Sequence, residues 1–237
     1  MPIFLLAEAP VFPPPHLAEP GGLLAVGGDL SPERLTAAYA QGIFPWYDAD
    51  SPILWWSPDP RPVIVPSRVH VPARLARTLR QGRFALTLDA DFAAVIRACA
   101  ETPRKREKGT WLVPDMIAAY ETLHKAGVAH SAEAWLDGRL VGGLYGVALG
   151  KAFFGESMFH VERDASKAAF VALAGFLAEK GFHFIDCQQT TGHIMRFGAE
   201  ELPRKAFLRL LKKAAAEPPV AGKWALSGQT VQPSVLA

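Results

Sequence analysis

The stretch "HSAEAWLDGRLVGGLYGVALGKAFFGESMF", His130 to Phe159, limits the fold more than any other part of the chain. It reads as three successive apolar runs. Asp137-Gly138 separates the first two and suits a two-residue hairpin turn, and a Gly150-Lys151 turn separates the last two. Strands joined this tightly make an antiparallel meander. Directly after it, "ASKAAFVALAGFLAEKG" carries Phe170, Leu173, Ala174 and Leu177 spaced as a buried helical stripe, with Asp164 placed to cap it. A further strand, "FHFIDCQ", and a last helix, "PRKAFLRLLKKAAA", complete the series. This order indicates a mixed α/β sheet covered by helices.

Upstream, Pro72 opens a helix, "PARLARTLRQG"; "RFALTLD" follows as a strand, and another helix runs from about Phe92 to Ala100. In "PDMIAAYETLHKAG", Pro114 sits early, Met116, Ile117, Tyr120 and Leu123 share a face, and Gly127 is the stop. The chain before about Pro62 is different, being rich in proline, glycine and tryptophan. Its clearest element is "LSPERLTAAYAQG", with Ser31 as N-cap, Pro32 at the first helical position and Gly42 as the stop. "GIFPWYDADSPILWWSP" then holds three of the six tryptophans with little periodicity. It reads either as a loop whose rings fill a small core or as an aromatic wall facing a ligand. Two domains are expected: a small Pro/Trp-rich one over 1–62, and a larger one over 63–237 that ends in a flexible tail.

Composition narrows the function classes. Half of the 237 residues are hydrophobic and one fifth are charged, as in a folded globular protein. A formal net charge of +2 excludes a generally polybasic binder but not a local patch. Arg74, Arg77, Arg80 and Arg83, with Arg104, Lys105, Arg106 and Lys108, form either such a patch for phosphates or a solvated face. Cys99 and Cys187 make no disulfide framework and suit a reducing compartment. "MPIFLLAEAPVFPPP" lacks the pattern of a signal peptide, and "AAFVALAGFLA" falls short of the ~20 residues that cross a bilayer. A soluble cytoplasmic protein is expected. The seven histidines are scattered without metal-ligand spacing, and no GxxxxGK[ST] or GxGxxG loop precedes a helix.

Two carboxylates stand out. Glu156 lies inside "FFGESMF", a run of the kind that normally goes to a core, where an unpaired carboxylate is costly or neutralises. It reads either as an outward-pointing residue of an edge strand or as a carboxylate lining an apolar pocket. In "FHFIDCQ", period 2 puts Phe184, Asp186 and Gln188 on one face. An Asp and a Gln at the C-terminal end of a central strand sit where open sheets bind ligands.

Longer matches bring out a family resemblance. "GGLLAVGGDLSPERLTAAYAQGIFPWY", "PILWWSPDPR", "GTWL", "AYETLHKAGVAHSAEAW", "LVGGLYGVALGKAFFGESMF", "ASKAAF" and "FIDCQ" resemble leucyl/phenylalanyl-tRNA–protein transferase, in order, from about residue 12 to about residue 211. The resemblance implies a GNAT-like acyltransferase domain with a small N-terminal domain. It implies an enzyme that moves Leu or Phe, with some Met, from aminoacyl-tRNA to an N-terminal Arg or Lys of a protein, marking it for N-degron proteolysis. Asp186 and Gln188 match the family's proposed catalytic pair, and Glu156 matches its active-site carboxylate. Trp46, Trp111, Tyr120, Phe153, Gly155, Ser157, Met158, Ile185 and Thr190 match the aminoacyl-adenosine pocket. Leu144 stands on its wall where Met is familiar, together with Phe170 and Leu173. No cofactor or metal, no membrane and a monomer are expected. Such an ester is already activated, so the reaction needs positioning, an unprotonated amine and management of one proton. Two rivals are a CoA-dependent N-acyltransferase, which should carry a glycine-bearing loop where this chain has "RDASK", and a non-catalytic tRNA- or degron-binding module.

Overall fold

The computed structural model describes residues 3–102 and 112–227. The first region contains a sheet of short strands, two of which lie within the stretch read as an aromatic loop. Strands β1 (Phe4–Leu6), β2 (Leu23–Gly27), β3 (Phe44–Pro45) and β4 (Leu54–Trp56) lie in the order β1-β2-β4-β3, with helix α1 (Pro32–Tyr39) between β2 and β3 in sequence. The Ser31 hydroxyl caps α1 by accepting from the Arg34 N–H at 3.3 Å. Gly42 turns out of it at φ +69°, where a Cβ would lie 2.7 Å from the Phe207 ring.

The larger sheet is built on the meander. Strands β5 (Arg61–Ile64) and β6 (Ala85–Leu88) precede it, and β7 (Ala129–Leu136), β8 (Arg139–Leu149) and β9 (Ala152–His160) form it. Asp137 and Gly138, both at positive φ, make its first turn, and Gly150 at φ +57° makes the second. Helix α5 (Ala165–Glu179) then crosses to β10 (Phe184–Asp186), which pairs parallel with β9, and β11 (Glu200–Leu202) closes the edge. The strand order is β11-β5-β10-β9-β8-β7-β6. An antiparallel β6–β9 followed by a crossover helix and a parallel strand is the GNAT-like arrangement expected. Helices α2 (Ala73–Arg80), α3 (Phe92–Glu101), α4 (Pro114–Lys125), α6 (Gly192–Met195) and α7 (Arg204–Ala215) complete the chain.

Two cores sandwich this sheet. On one face, α3, α4 and α7 pack together with the N-terminal residues Leu24, Leu35, Tyr39 and Trp55. On the other, α5 and Leu75 of α2 pack with Trp224. The N-terminal region therefore shares a continuous core with the large sheet, and β5 straddles the expected boundary at residue 62.

Three local expectations need correction. Asp164 does sit at the N-cap of α5, but at φ +66°, and its carboxylate pairs with Lys167 at 2.7 Å instead of capping. The strand read as "FHFIDCQ" is regular only from Phe184 to Asp186, because Gln188 turns away at φ +59°. The tail read as flexible brings Trp224 into the core, stacked on His130 at 3.6 Å. No periodicity marks "KWALSG", so a single buried indole in it has no sequence signature.

Candidate active site

The site opens where β9 and β10 part. The two strands pair as far as Asp186 opposite Phe154; β10 then stops while β9 continues. Gly155 stands at the fork, and a Cβ there would lie 3.6 Å from the Asp186 carbonyl oxygen. A polar cleft of about 160 Å³ occupies the gap, lined by Phe44, Pro45, Trp46, Gln188, Gln189 and Thr191. An apolar cavity of about 130 Å³ adjoins it, lined by Leu144, Ser157, Met158, Phe170, Ile185, Asp186, His193 and Phe197. Gly155, Glu156, Cys187 and Ile194 line both.

Glu156 owes its direction to a β-bulge. Tyr145 pairs with Ser157 and Gly146 with Gly155, so Glu156 is the extra residue between them. The bulge needs glycine opposite it, since a Cβ on Gly146 would sit 2.1 Å from the Phe154 carbonyl oxygen. It also reverses the strand's parity. Phe154, before it, packs against Tyr39 in the core shared with the N-terminal region, whereas Met158, after it, packs toward α5. Glu156 lies between the two sets and is 9 % exposed. Its Oε1 accepts from Gln188 Nε2 at 2.7 Å, and its Oε2 accepts from the Tyr120 hydroxyl at 3.1 Å. Tyr120 in turn meets the Tyr39 hydroxyl at 2.5 Å, with both rings wholly buried. Burial pushes the Glu156 carboxyl up to about 7; Tyr39 and Tyr120 pull it down, the Asp186 charge adds to the rise, and Gln188 opposes it.

Asp186 is sealed. Arg61 donates to both its oxygens, from Nε at 2.8 Å and from Nη2 at 2.7 Å, and neither side chain has any exposure. Oδ1 also accepts from the Gln188 backbone N–H at 2.9 Å, which helps hold Gln188 in its left-handed conformation. The two residues thus meet through the backbone, not side by side on one face. With Nε2 given to Glu156, the Gln188 amide keeps its carbonyl oxygen as an acceptor. For Cys187, between them, burial, with the Asp186 charge, pushes the thiol well above its ordinary range and disfavours the thiolate. Arg61 and Tyr39 escaped the sequence reading. Arg61 lies in the proline-rich boundary near residue 62, and Tyr39 lies in the helix "LSPERLTAAYAQG", for which only the cap and the stop were read.

Most of the expected pocket residues converge here. Leu144, Gly155, Ser157, Met158, Phe170 and Ile185 line the apolar cavity, Trp46 lines the polar cleft, and Tyr120 reaches Glu156. In the aromatic stretch, Trp46 lines the cleft, whereas Trp55 is a core residue whose Nε1 donates to the Gly27 carbonyl. Phe153 and Leu173 are wholly buried in the core on the α5 face and do not line the cavity. Thr190 is exposed, with its hydroxyl bonded to Glu201, and Thr191 takes its place in the lining. Trp111, Arg104, Lys105, Arg106 and Lys108 lie outside the described residues. Arg74, Arg77, Arg80 and Arg83 are all exposed along α2 and the turn after it, and Arg83 pairs with Glu162 at 2.7 Å. Among the described residues no group of three or more His, Cys, Asp or Glu side chains could hold a metal, and no helix is long and apolar enough to cross a membrane.

The family profiles and the relatives agree with one another. The profile of the family described as leucyl/phenylalanyl-tRNA protein transferase matches residues 63–212, and that of its N-terminal domain matches residues 28–59. A protein of that name from Solidesulfovibrio magneticus is 65% identical over 230 residues, 97% of this chain and 93% of that one. Its namesake from Anaeromyxobacter sp. is 57% identical over 228 residues, covering 96% of this chain and 98% of its own. Likeness to solved structures is distant: L-PGS from Bacillus licheniformis gives a TM-score of 0.41 at 12% identity, over 71% of this chain and 53% of that one.

Proposed function

The chain belongs to the leucyl/phenylalanyl-tRNA–protein transferase family, and on that premise we propose that its two joined cavities are the place where an aminoacyl group leaves tRNA for a protein amine. The observation that carries this reading is the position of Glu156, at the seam between an apolar cavity and a polar cleft and 2.7 Å from the Gln188 amide. The apolar cavity takes the Leu, Phe or, less well, Met side chain, a burial that contributes roughly 1.5–3 kcal/mol. A charged or strongly polar side chain would find few partners among Leu144, Met158, Phe170 and Phe197. Trp46 offers a ring to the terminal adenosine. The exposed arginines of α2 supply phosphate contacts to the tRNA.

In the transfer, the acceptor nitrogen attacks the ester carbonyl carbon, an amide forms, and the carbon–oxygen bond to the ribose breaks. One proton must travel from nitrogen to the departing ribose oxygen. Gln188 accepts a hydrogen bond from the attacking amine and aims it. Glu156 is the group beside it able to take the proton and return it, because a carboxyl near pH 7 is matched to an α-amine of pKa about 8. Asp186 orients and does not exchange protons with substrate, since Arg61 and the Gln188 N–H occupy its oxygens. Holding the reactants in near-attack geometry can account for roughly 7–11 kcal/mol of the barrier, so no stronger base is needed. An acceptor beginning with Arg or Lys, a mark for N-degron proteolysis and a cytoplasmic setting complete the reading.

The CoA-dependent alternative is disfavoured by Asp164. Its carboxylate stands at the N-terminus of α5, where a helix would otherwise receive a pyrophosphate. A binding-only module would leave unexplained a carboxyl raised to about 7 beside an oriented amide. The test is to mix the protein with charged Leu-tRNA and an Arg-initiated peptide, without ATP, metal or CoA, and to weigh the peptide. A gain of one leucine is expected. Equal transfer to an Ala-initiated peptide, or an absolute need for acetyl-CoA, would sink the reading.

A further inference from the structure

Arg61 opens β5 and has no exposed surface, yet its guanidinium touches both walls of the cleft. Toward β10 it grips Asp186 with two parallel bonds, at 2.8 and 2.7 Å. Toward the N-terminal region, its Nη1 donates to the Gly42 carbonyl at 3.0 Å. Its Cζ lies over two rings, 4.9 Å from the centre of Phe44 and 4.7 Å from that of Phe207. The segment starting at Gly42 runs through Phe44 and Pro45 to Trp46, which line the polar cleft. The Asp186 carboxylate holds the backbone of Gln188, whose side chain meets Glu156. One guanidinium therefore sets the spacing between the aromatic wall and the turn that presents Gln188.

Stability alone does not account for this pair. A buried ion pair loses its hydration, and apolar residues of similar volume often serve as well or better. Lysine would not substitute, because a point charge on a flexible stem cannot span both carboxylate oxygens and a third acceptor in one plane.

We propose that Arg61 is a positioning residue for the transfer: it touches no substrate, and its fork locks the Asp186–Gln188 turn at a fixed distance from the Trp46 wall. The proposal rests on the transferase reading above. Its distinguishing test uses Arg61→Lys in the full-length protein, measured in two ways. In leucyl transfer from charged tRNA to an Arg-initiated peptide, kcat should fall by about 10²-fold, the loss expected from misplacement of about 1 Å. KM for the charged tRNA should change by less than about threefold, because the apolar cavity and the α2 arginines are untouched. Independently of activity, amide hydrogen exchange should quicken together in residues 42–47 and 184–191 and nowhere else in the large sheet. If wild-type protein does not transfer leucine, the transferase reading fails, and the exchange pattern still decides whether Arg61 couples the two walls. Should Arg61→Lys not fold, the neutral pair Arg61→Gln with Asp186→Asn, which leaves no unpaired buried charge, takes its place in both assays. Wild-type kcat in either folded variant, or exchange that rises in only one of the two segments, overturns the proposal.

Discussion

Two buried carboxylates, Asp89 and Glu156, stand in networks of similar parts and end in opposite states. Asp89 Oδ1 accepts the Ser131 N–H at 2.9 Å, and its Oδ2 accepts the Trp224 N–H and meets His130 Nδ1, both at 2.8 Å. Burial pushes Asp89 up, but His130 and these backbone donors outweigh it and leave the carboxyl below its ordinary range. Glu156 has a tyrosine hydroxyl and an amide instead, and burial, with the Asp186 charge added, raises it to about 7. Their effects on stability therefore have opposite signs. The contribution of Asp89 is present above its unfolded pKa and lost as pH falls through the folded one; that of Glu156 is present in acid and lost as pH rises through about 7. A carboxylate saturated with donors fixes the C-terminal segment to the sheet. One left short of donors is held where two cavities meet, and can change its proton.

The largest effect should follow from breaking the pair that supports the second network. Asp186→Ala leaves the Arg61 guanidinium buried and unpaired, which costs about 3–5 kcal/mol in denaturant titrations. Transfer per folded molecule should collapse with it, since Gln188 loses the acceptor for its backbone N–H. Trp224→Ala should cost a similar or slightly smaller amount, about 3–5 kcal/mol, by opening a cavity among Phe153, Phe176 and Phe182. It should leave kcat unchanged at a temperature where circular dichroism reports full folding. A matching fall in kcat would erase the distinction between the two networks.

How much of this was legible in sequence follows the same division. The meander, its two turns and the proline-started helices were readable, because each rests on contacts within a few residues. Glu156, Gln188 and Asp186 were also readable, being polar groups where apolar ones were due. Their directions were not. A bulge shifts parity with no change of residue type, and the available hint was that Gly146 and Gly155 would face one another across the hairpin. The left-handed Gln188 broke the alternation that had put it beside Asp186. Arg61 and Asp186 are 125 residues apart, and only a search for a partner to each buried charge would have joined them. The strands of the N-terminal region, two to five residues long, are too short for any period to show.

Glu156→Gln addresses the sign of the second network directly. The wild-type carboxyl binds its proton more tightly folded than unfolded, having risen from an ordinary 4.5 to about 7. Wild-type stability should therefore decline between those values, by a total of about 3 kcal/mol. The variant cannot titrate there, so its stability relative to wild type should climb through the same window and level off above it. Transfer should drop by about 10²- to 10⁴-fold, the usual worth of general acid–base assistance, and its acid limb should lose the part that follows Glu156 and keep the part set by the acceptor amine near pH 8. Parallel stability–pH curves for the two proteins would mean that Glu156 keeps its ordinary proton affinity on folding.

Tyr39→Phe is the smallest change and the most specific. With Tyr120 donating to Glu156, the Tyr39 hydroxyl is the donor to Tyr120, so the chain of hydroxyls supports the ionised carboxylate from a distance. Burial, with the Glu156 and Tyr120 charges, holds the Tyr39 hydroxyl well above its ordinary range, so it stays neutral while Glu156 titrates. Deleting it should cost about 1 kcal/mol of stability, the net worth of one hydrogen bond. It should also remove one of the influences that pull Glu156 down, moving the acid limb of the transfer profile to higher pH. Transfer near pH 6 should then suffer, while transfer on the alkaline plateau should match wild type. The reason is that the hydroxyl acts on the proton affinity of Glu156 and not on the placement of Gln188. A limb that stays in place would show that the Tyr39 hydroxyl has no part in setting Glu156. The contact between α1 and α4 would then serve only to join the N-terminal region to the large sheet, as Trp224 joins the C-terminal segment.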